Sequence, residues 1–199
     1  MQRLGRPKQK QTALLNDDRI VELYWERSES AISETAAKYG NYCHYIAYNI
    51  LYNHEDAEES VNDTYMDAWN NMPPHKPSIL STFLGKITRR ISIDRWRSKH
   101  AGKRGGGEAD LVLDELEDCV SDPTSAESVI EQKEMARIIK EYLDCLPSLE
   151  RRIFMCRYWY MDSISSIAVQ FGFSDSKIAS MLHRTRKKLR DKLKNEGYL

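Results

Sequence analysis

Apolar residues recur at steps of three and four along nearly every patterned stretch of this chain, and none sustains the two-residue alternation of a strand. That pattern restricts the fold to helices burying one stripe each against other helices. Ile20, Leu23 and Tyr24 open the first such segment, and Ala36, Tyr39, Cys43, Ile46 and Ile50 mark the next. Asn53 is placed to cap a third helix, with Glu55 and Asp56 in its first turn and Ala57, Val61, Tyr65 and Ala68 facing inward to about Trp69. Pro73, Pro74 and Pro77 then forbid helix. A fourth helix spans roughly 79–99 on Leu80, Phe83, Leu84, Ile87 and Ile91, and Gly102 with Gly105, Gly106 and Gly107 ends it.

Residues 105–127 are acidic, contain Pro123 and hold no sustained period, so they read as linker. Helices resume near Ala126, with Met135, Ile138, Ile139, Tyr142, Leu143 and Leu146 as one stripe stopped by Pro147. A helix over 148–160 follows, then two shorter units over 163–171 and 175–194. The expected architecture is all-α, with two small helical domains joined by an acidic flexible linker. The boundaries are a basic tail over 1–17, a first domain over 18–101, a linker over 102–129 and a second domain over 130–199.

The formal net charge of zero hides a strong segregation. Residues 16–70 carry −9 and residues 75–104 carry +8, while 105–135 carry −9 and 150–199 carry +6. Two cationic helical blocks separated by acid suit a protein that grips a polyanion at two places, and the acidic blocks suit a basic partner. No apolar run approaches the ~20 residues of a membrane span. The basic N-terminus is not followed by an apolar signal core, so a cytoplasmic chain is expected. Cys43, Cys119, Cys145 and Cys156 form no CxxC pair and read as small buried residues. No catalytic constellation, cofactor fingerprint or metal spacing is evident, so no catalytic residue, cofactor or metal is expected.

The chain's end reads as helix, tight turn, helix. Ser163 caps a helix carrying Ile164, Ile167, Ala168 and Phe171; Gly172 permits the turn and Phe173 plugs the junction. Ser174 caps a second helix with Ile178, Met181, Leu182, Leu189 and Leu193 inward. This is a helix-turn-helix pattern, whose second helix enters a major groove by its N-terminal end. Ser176, Lys177, Ser180 and Arg184 can reach base edges, while Arg186, Lys187, Lys188 and Arg190 lie further along and suit phosphates. A solvated basic face on an ordinary helix pair is the alternative, and the eight cations between Lys177 and Lys194 weigh against it.

In the first half, Asp56, Glu59, Asp63 and Asp67 align along one side of their helix. A solvated acidic face and a dock for a basic protein both fit. A metal site from His54, Glu55, Asp56 and Glu58 fits poorly, because sequence neighbours on a helix point apart. The 79–99 helix interleaves Lys86, Arg89, Arg90, Arg95 and Arg97 with Trp96, and the loop before it offers Asn71, His75 and Lys76 to an unstacked base.

Four segments in this order resemble the bacterial RNA polymerase sigma factors, specifically the compact extracytoplasmic-function group of the sigma-70 family. They are Asp56 to Trp69, Phe83 to Arg97, Leu146-Pro147 with Arg151, Arg152, Ile153 and Phe154, and Leu182 to Arg190. The resemblance implies that Asp56, Glu59, Asn62 and Asp63 dock on core RNA polymerase. It implies that Asn71, His75, Lys76, Lys86, Arg89, Arg90 and Arg97 read and help melt the minus-ten promoter element. It further implies that Ser174, Ser176, Lys177, Ser180, Arg184, Arg186 and Lys188 contact the minus-thirty-five element. The acidic linker would thread a basic channel of the polymerase. Implied partners are therefore core RNA polymerase and promoter DNA, with an anti-sigma factor as a further candidate, and the free protein would be a monomer with no membrane insertion. Asp67, Phe83, Arg90, Ala179 and Met181 depart from residues frequent in the family, which leaves the promoter sequence open. A DNA-binding regulator using the same helix pair without polymerase is the second reading, and a metal-dependent enzyme the third.

Overall fold

The computed structural model of the protein describes residues 14–100, Val112, Glu115 and 129–198, and these form two helical clusters. The first holds α1 (Asp17–Trp25), α2 (Ser30–Leu51), α3 (His54–Asn71) and α4 (Leu80–His100). The second holds α5 (Val129–Cys145), α6 (Ser148–Tyr158), α7 (Ile164–Phe171) and α8 (Asp175–Asn195). Residues 1–13 of the expected tail over 1–17, and most of the expected linker, lie outside the described residues.

Local chemistry starts and stops these helices as the sequence suggests. The Asn53 side chain accepts the Asp56 N–H at 3.0 Å, and Ser163 accepts that of Ser166 at 3.1 Å. Each satisfies a donor that the first helical turn leaves unpaired. Tyr52, in the left-handed region at φ 50°, closes α2 and separates it from α3. Pro73, Pro74 and Pro77 keep the following loop out of helix, and Met72 is fully buried at its start.

In the first cluster α2 is the helix that packs against all the others. Small side chains set the closeness of that packing: Ala31, Ala47, Ala57 and Ala68 are each fully buried beside Ile20, Tyr24, Leu80 and Leu84. The α3–α4 contact also buries hydroxyls. Thr64 donates to Thr88 at 3.2 Å and each threonine lies within bonding distance of a carbonyl four residues back, whereas Ser60 and Ser92 are buried with no hydrogen-bond partner among the described residues. Those small polar residues sit where the apolar stripe alone would predict only Ile or Leu.

In the second cluster α8 takes the central place, packing on α5, α6 and α7. Ile138, Ile153, Ile167, Ile178, Leu182, Leu189 and Leu193 form its core, and the Tyr142 hydroxyl ties α5 to α8 by donating to the Thr185 carbonyl at 2.8 Å. Fully burying one such aliphatic side chain stabilises by roughly 1.5–3 kcal/mol, so this stripe outweighs any surface charge pair. Of the cysteines expected to be buried, Cys43 and Cys156 are, but Cys145 is exposed, because it ends α5 off the Tyr142–Leu146 stripe.

Candidate nucleic-acid and partner interfaces

The turn between α7 and α8 is short because Gly172 takes φ 70°, a conformation that a side chain would strain. Phe173 then packs against the core and Ser174 caps α8 by accepting the Lys177 N–H at 3.3 Å. The Lys177 ammonium lies 3.8 Å from the Phe173 ring centroid, and Asp175 accepts the Ser165 hydroxyl at 2.6 Å, joining the two helices at the turn. Ile178, Met181, Leu182, Thr185, Leu189 and Leu193 are buried. Ser176, Lys177, Ser180, Arg184 and Lys188 therefore stand exposed on the other side, together with Lys187 and Arg190. None of these five cations makes an ion pair among the described residues. Arg186 differs: its guanidinium is 2.9 Å from the Glu115 carboxylate.

The cations of α4 are arranged otherwise. Arg90 pairs with Asp67 at 2.7 Å, Arg95 with both Glu59 and Asp63, and Lys99 with Asp56 at 2.6 Å. These acids are the row expected to face a partner, so the structure turns much of that row toward α4. What remains pointing outward from α3 is Glu55, Glu58, Asn62 and Met66, all exposed, with Glu59 and Asp63 exposed at its border. Lys86, Arg97, His75 and Lys76 are exposed, whereas Asn71 is half-buried and donates to the Asp67 carbonyl at 2.8 Å. Arg89 is committed elsewhere. Its Nη1 donates to the carbonyls of Tyr158 at 2.6 Å and Trp159 at 3.0 Å, in the other cluster. Burial lowers its pKa to about 10, which leaves the guanidinium charged at neutral pH.

Sequence reasoning missed two groups of residues. The first is a polar seam between the clusters. The Asn49 amide donates to the Tyr160 carbonyl at 2.8 Å and to Asp162 at 3.0 Å, Tyr45 donates to Asp162, and the Trp159 indole donates to the Tyr42 hydroxyl at 3.1 Å. No spacing rule joins residues more than a hundred positions apart. The second centres on Glu115, inside the segment read as flexible linker. Val112 is fully buried in the second core, and Glu115 accepts from Arg157 at 2.8 Å, Tyr158 at 2.8 Å and Arg186 at 2.9 Å. At these two helical residues the linker is fastened to the second cluster, which corrects the reading of an untethered connection. Burial pushes the Glu115 carboxyl up, but the hydrogen bonds from Arg157 and Tyr158 and the charges of Arg157 and Arg186 outweigh it, and its pKa is lowered.

Among the described residues, no three His, Cys, Asp or Glu side chains converge to hold a metal ion. His54, weighed as a ligand, instead stacks on Tyr48 at 4.4 Å beside His44. No described helix is long and apolar enough to cross a membrane.

Family comparisons match a part of each cluster. Residues 36–101 match region 2 of the sigma-70 family and residues 136–189 match its region 4. The chain belongs to the sigma-70 family of RNA polymerase sigma factors, in its extracytoplasmic-function group. It is 22% identical over 149 residues to the ECF RNA polymerase sigma factor SigE of Mycolicibacterium smegmatis. That match takes in 74% of this chain but 56% of the relative, so the chain spans little more than half of that protein's length. A solved structure of CnrH in complex with the cytosolic domain of CnrY is 18% identical, with a TM-score of 0.38, and the match covers 91% of this chain and 99% of that one.

Proposed function

We propose that this chain binds core RNA polymerase through its first cluster and directs it to promoters by reading DNA with both clusters. The observation that carries the reading is α8, whose capped N-terminal end presents Ser176, Lys177, Ser180 and Arg184 opposite its buried stripe. That is the geometry of a helix-turn-helix recognition helix, with base readers first and phosphate contacts from Arg186 and Lys188 further along. Ser174 supports the site by holding the helix start. In this reading residues 18–101 form the polymerase-binding and minus-ten domain and 130–199 the minus-thirty-five domain. Asp56, Glu59, Asn62 and Asp63 contribute to polymerase docking along the outward edge of α3. Asn71, His75, Lys76, Lys86, Arg89, Arg90 and Arg97 serve the minus-ten element.

The test is co-elution with core polymerase followed by transcription from a promoter library. Glu59→Lys reverses a charge and Asn62→Lys adds one, both at exposed positions, and Asp63 is left to hold Arg95. Reversal at a complementary interface costs up to several kcal/mol, so the double variant should keep its helicity and lose co-elution. Wild-type co-elution by the folded variant would remove α3 from the docking surface, and no transcription by wild type would leave the polymerase-independent regulator as the better reading.

A further inference from the structure

Arg90 and Asn71, both in the minus-ten set of the proposed function, are held on a single carboxylate. Asp67 sits one turn before the end of α3, and its Oδ2 accepts from Arg90 Nη2 on α4 at 2.7 Å. Its Oδ1 accepts from the Asn71 amide at 3.1 Å, and its carbonyl accepts from the same nitrogen at 2.8 Å. Two acceptors on one side of an amide fix which way that amide turns, because only the nitrogen can face them. The Asn71 N–H groups are thereby engaged, and its Oδ1 is what remains for a ligand. That atom can only accept. Arg90 is the opposite case: its side chain is 62% exposed, and a guanidinium offers donors and no acceptor. An exposed pair of this kind adds little to stability, so its consequence lies in orientation.

We propose that Asp67 is a positioning residue that makes this site select an unpaired base bearing an amino group, adenine or cytosine, against guanine and thymine. The inference rests on the proposed function for the strand being melted promoter DNA, and deepens it by naming the base class. An unstacked base is read on its Watson–Crick edge. On that edge cytosine sets an exocyclic amino donor beside a ring-nitrogen acceptor, and adenine does the same. The Asn71 Oδ1 accepts from the amino group while Arg90 donates to the ring nitrogen. Guanine and thymine invert both groups, setting a keto oxygen against Oδ1 and a ring N–H against the guanidinium. Released from Asp67, the Asn71 amide can turn over and offer either polarity, and the discrimination goes. Asp67 and Arg90 both depart from residues frequent in the family, so the device is this chain's own.

The test is a selection from a duplex pool with a randomised internal bubble, given to the full chain with core polymerase. At one bubble position wild type should favour adenine or cytosine over guanine and thymine by at least about ten-fold. Asp67→Ala suits a helix and removes only an exposed pair, so its circular dichroism and thermal midpoint should match wild type. It should bind the pool no more weakly, since a negative charge has left the DNA face, yet its preference at that position should fall below about three-fold. Adding Asn71→Asp returns an acceptor-only group and the lost charge, and should restore the ten-fold preference. Uracil in place of cytosine inverts the two edge groups. That swap should cost wild type at least about ten-fold and Asp67→Ala less than about three-fold. A wild type with no position favouring amino over keto bases, or an Asp67→Ala variant that keeps the preference, would overturn the role of Asp67. So would a double variant that does not regain it. Failure of wild type to co-elute with polymerase is instead a failure of the proposed function, and the same pool given to the chain alone then judges Asp67 by the same outcomes.

Discussion

The two clusters each display a cationic helix, and they treat their charges in opposite ways. In α4, Arg90, Arg95 and Lys99 are each matched by a carboxylate of α3 across an exposed helix–helix groove. In α8, Lys177, Arg184, Lys187, Lys188 and Arg190 stand in solvent with no such partner among the described residues. The charges that are tightly held in the second cluster are instead internal: Arg157, with a side chain 1% exposed, is bound to Glu115. Exposed pairs contribute up to about 1 kcal/mol each, whereas stranding a buried charge costs several. The first cluster thus uses charge to orient a surface that a partner can rearrange cheaply. The second uses one buried pair as structure and leaves its surface cations without a carboxylate among the described residues.

The largest test of that contrast is Arg157→Ala, which leaves Glu115 without its closest cation. It should destabilise the second cluster by about 3 kcal/mol or more in denaturant unfolding, while replacing the exposed Arg90 by Ala should cost less than about 1 kcal/mol. Equal costs would erase the distinction. Next in size is readout. Arg184→Ala should change the upstream sequences selected from a random pool, at about 1–3 kcal/mol for a lost bidentate base contact. Identical selected sequences would move Arg184 to the phosphate class.

The anchored carboxylate gives a pH arm. The folded-state pKa of Glu115 lies below the ordinary glutamate value of 4.5, so its stabilisation is fully present above 4.5 and is lost as pH falls through the lower folded value. Glu115→Gln should flatten the fall in stability over that acidic window while lowering stability at pH 7. An unchanged acid limb would show that Glu115 is not held as the geometry indicates. Smaller still, Lys188→Ala should weaken binding to all DNA alike and reduce the salt slope by about one. At the bottom of the scale lie Ser60→Ala and Ser92→Ala, each removing a buried hydroxyl that bonds nothing among the described residues. These should be neutral or stabilise by up to about 1 kcal/mol, and a loss above that would mean the hydroxyls have partners in solution.

What was readable from the sequence was what the chain encodes locally. Asn53, Ser163 and Ser174 cap the helices their spacing announced, and Gly172 makes the turn where a left-handed residue was needed. The core stripe of α8 and its exposed N-terminal readers follow from a 3.6-residue period. What escaped is what only packing decides. Asp56 and Lys99 lie 43 residues apart, and their pairing depends on the register of α3 against α4, which small residues such as Ala57 and Thr64 set. Nothing beside Arg157 in sequence shows that it is buried. Glu115 was one acid among many in its block, and its role depends on three residues brought together by the fold. Cys145 illustrates the reverse error, since an apolar neighbourhood in sequence did not place it on the apolar side.

Fastening the chain at Val112 and Glu115 also fixes a leash length. A polypeptide can span at most about 3.3–3.6 Å per residue whatever its conformation. The twelve steps from His100 to Val112 therefore let the first cluster stray no more than about 40 Å from its anchor on the second. With the anchor released, the 29 steps from His100 to Val129 would allow roughly 100 Å. Two DNA contacts on a short leash meet their sites at a high effective concentration, and on a long one they search more nearly independently. Under the proposed function, a single buried valine beside one glutamate therefore sets how far apart two promoter elements can be read by the same molecule.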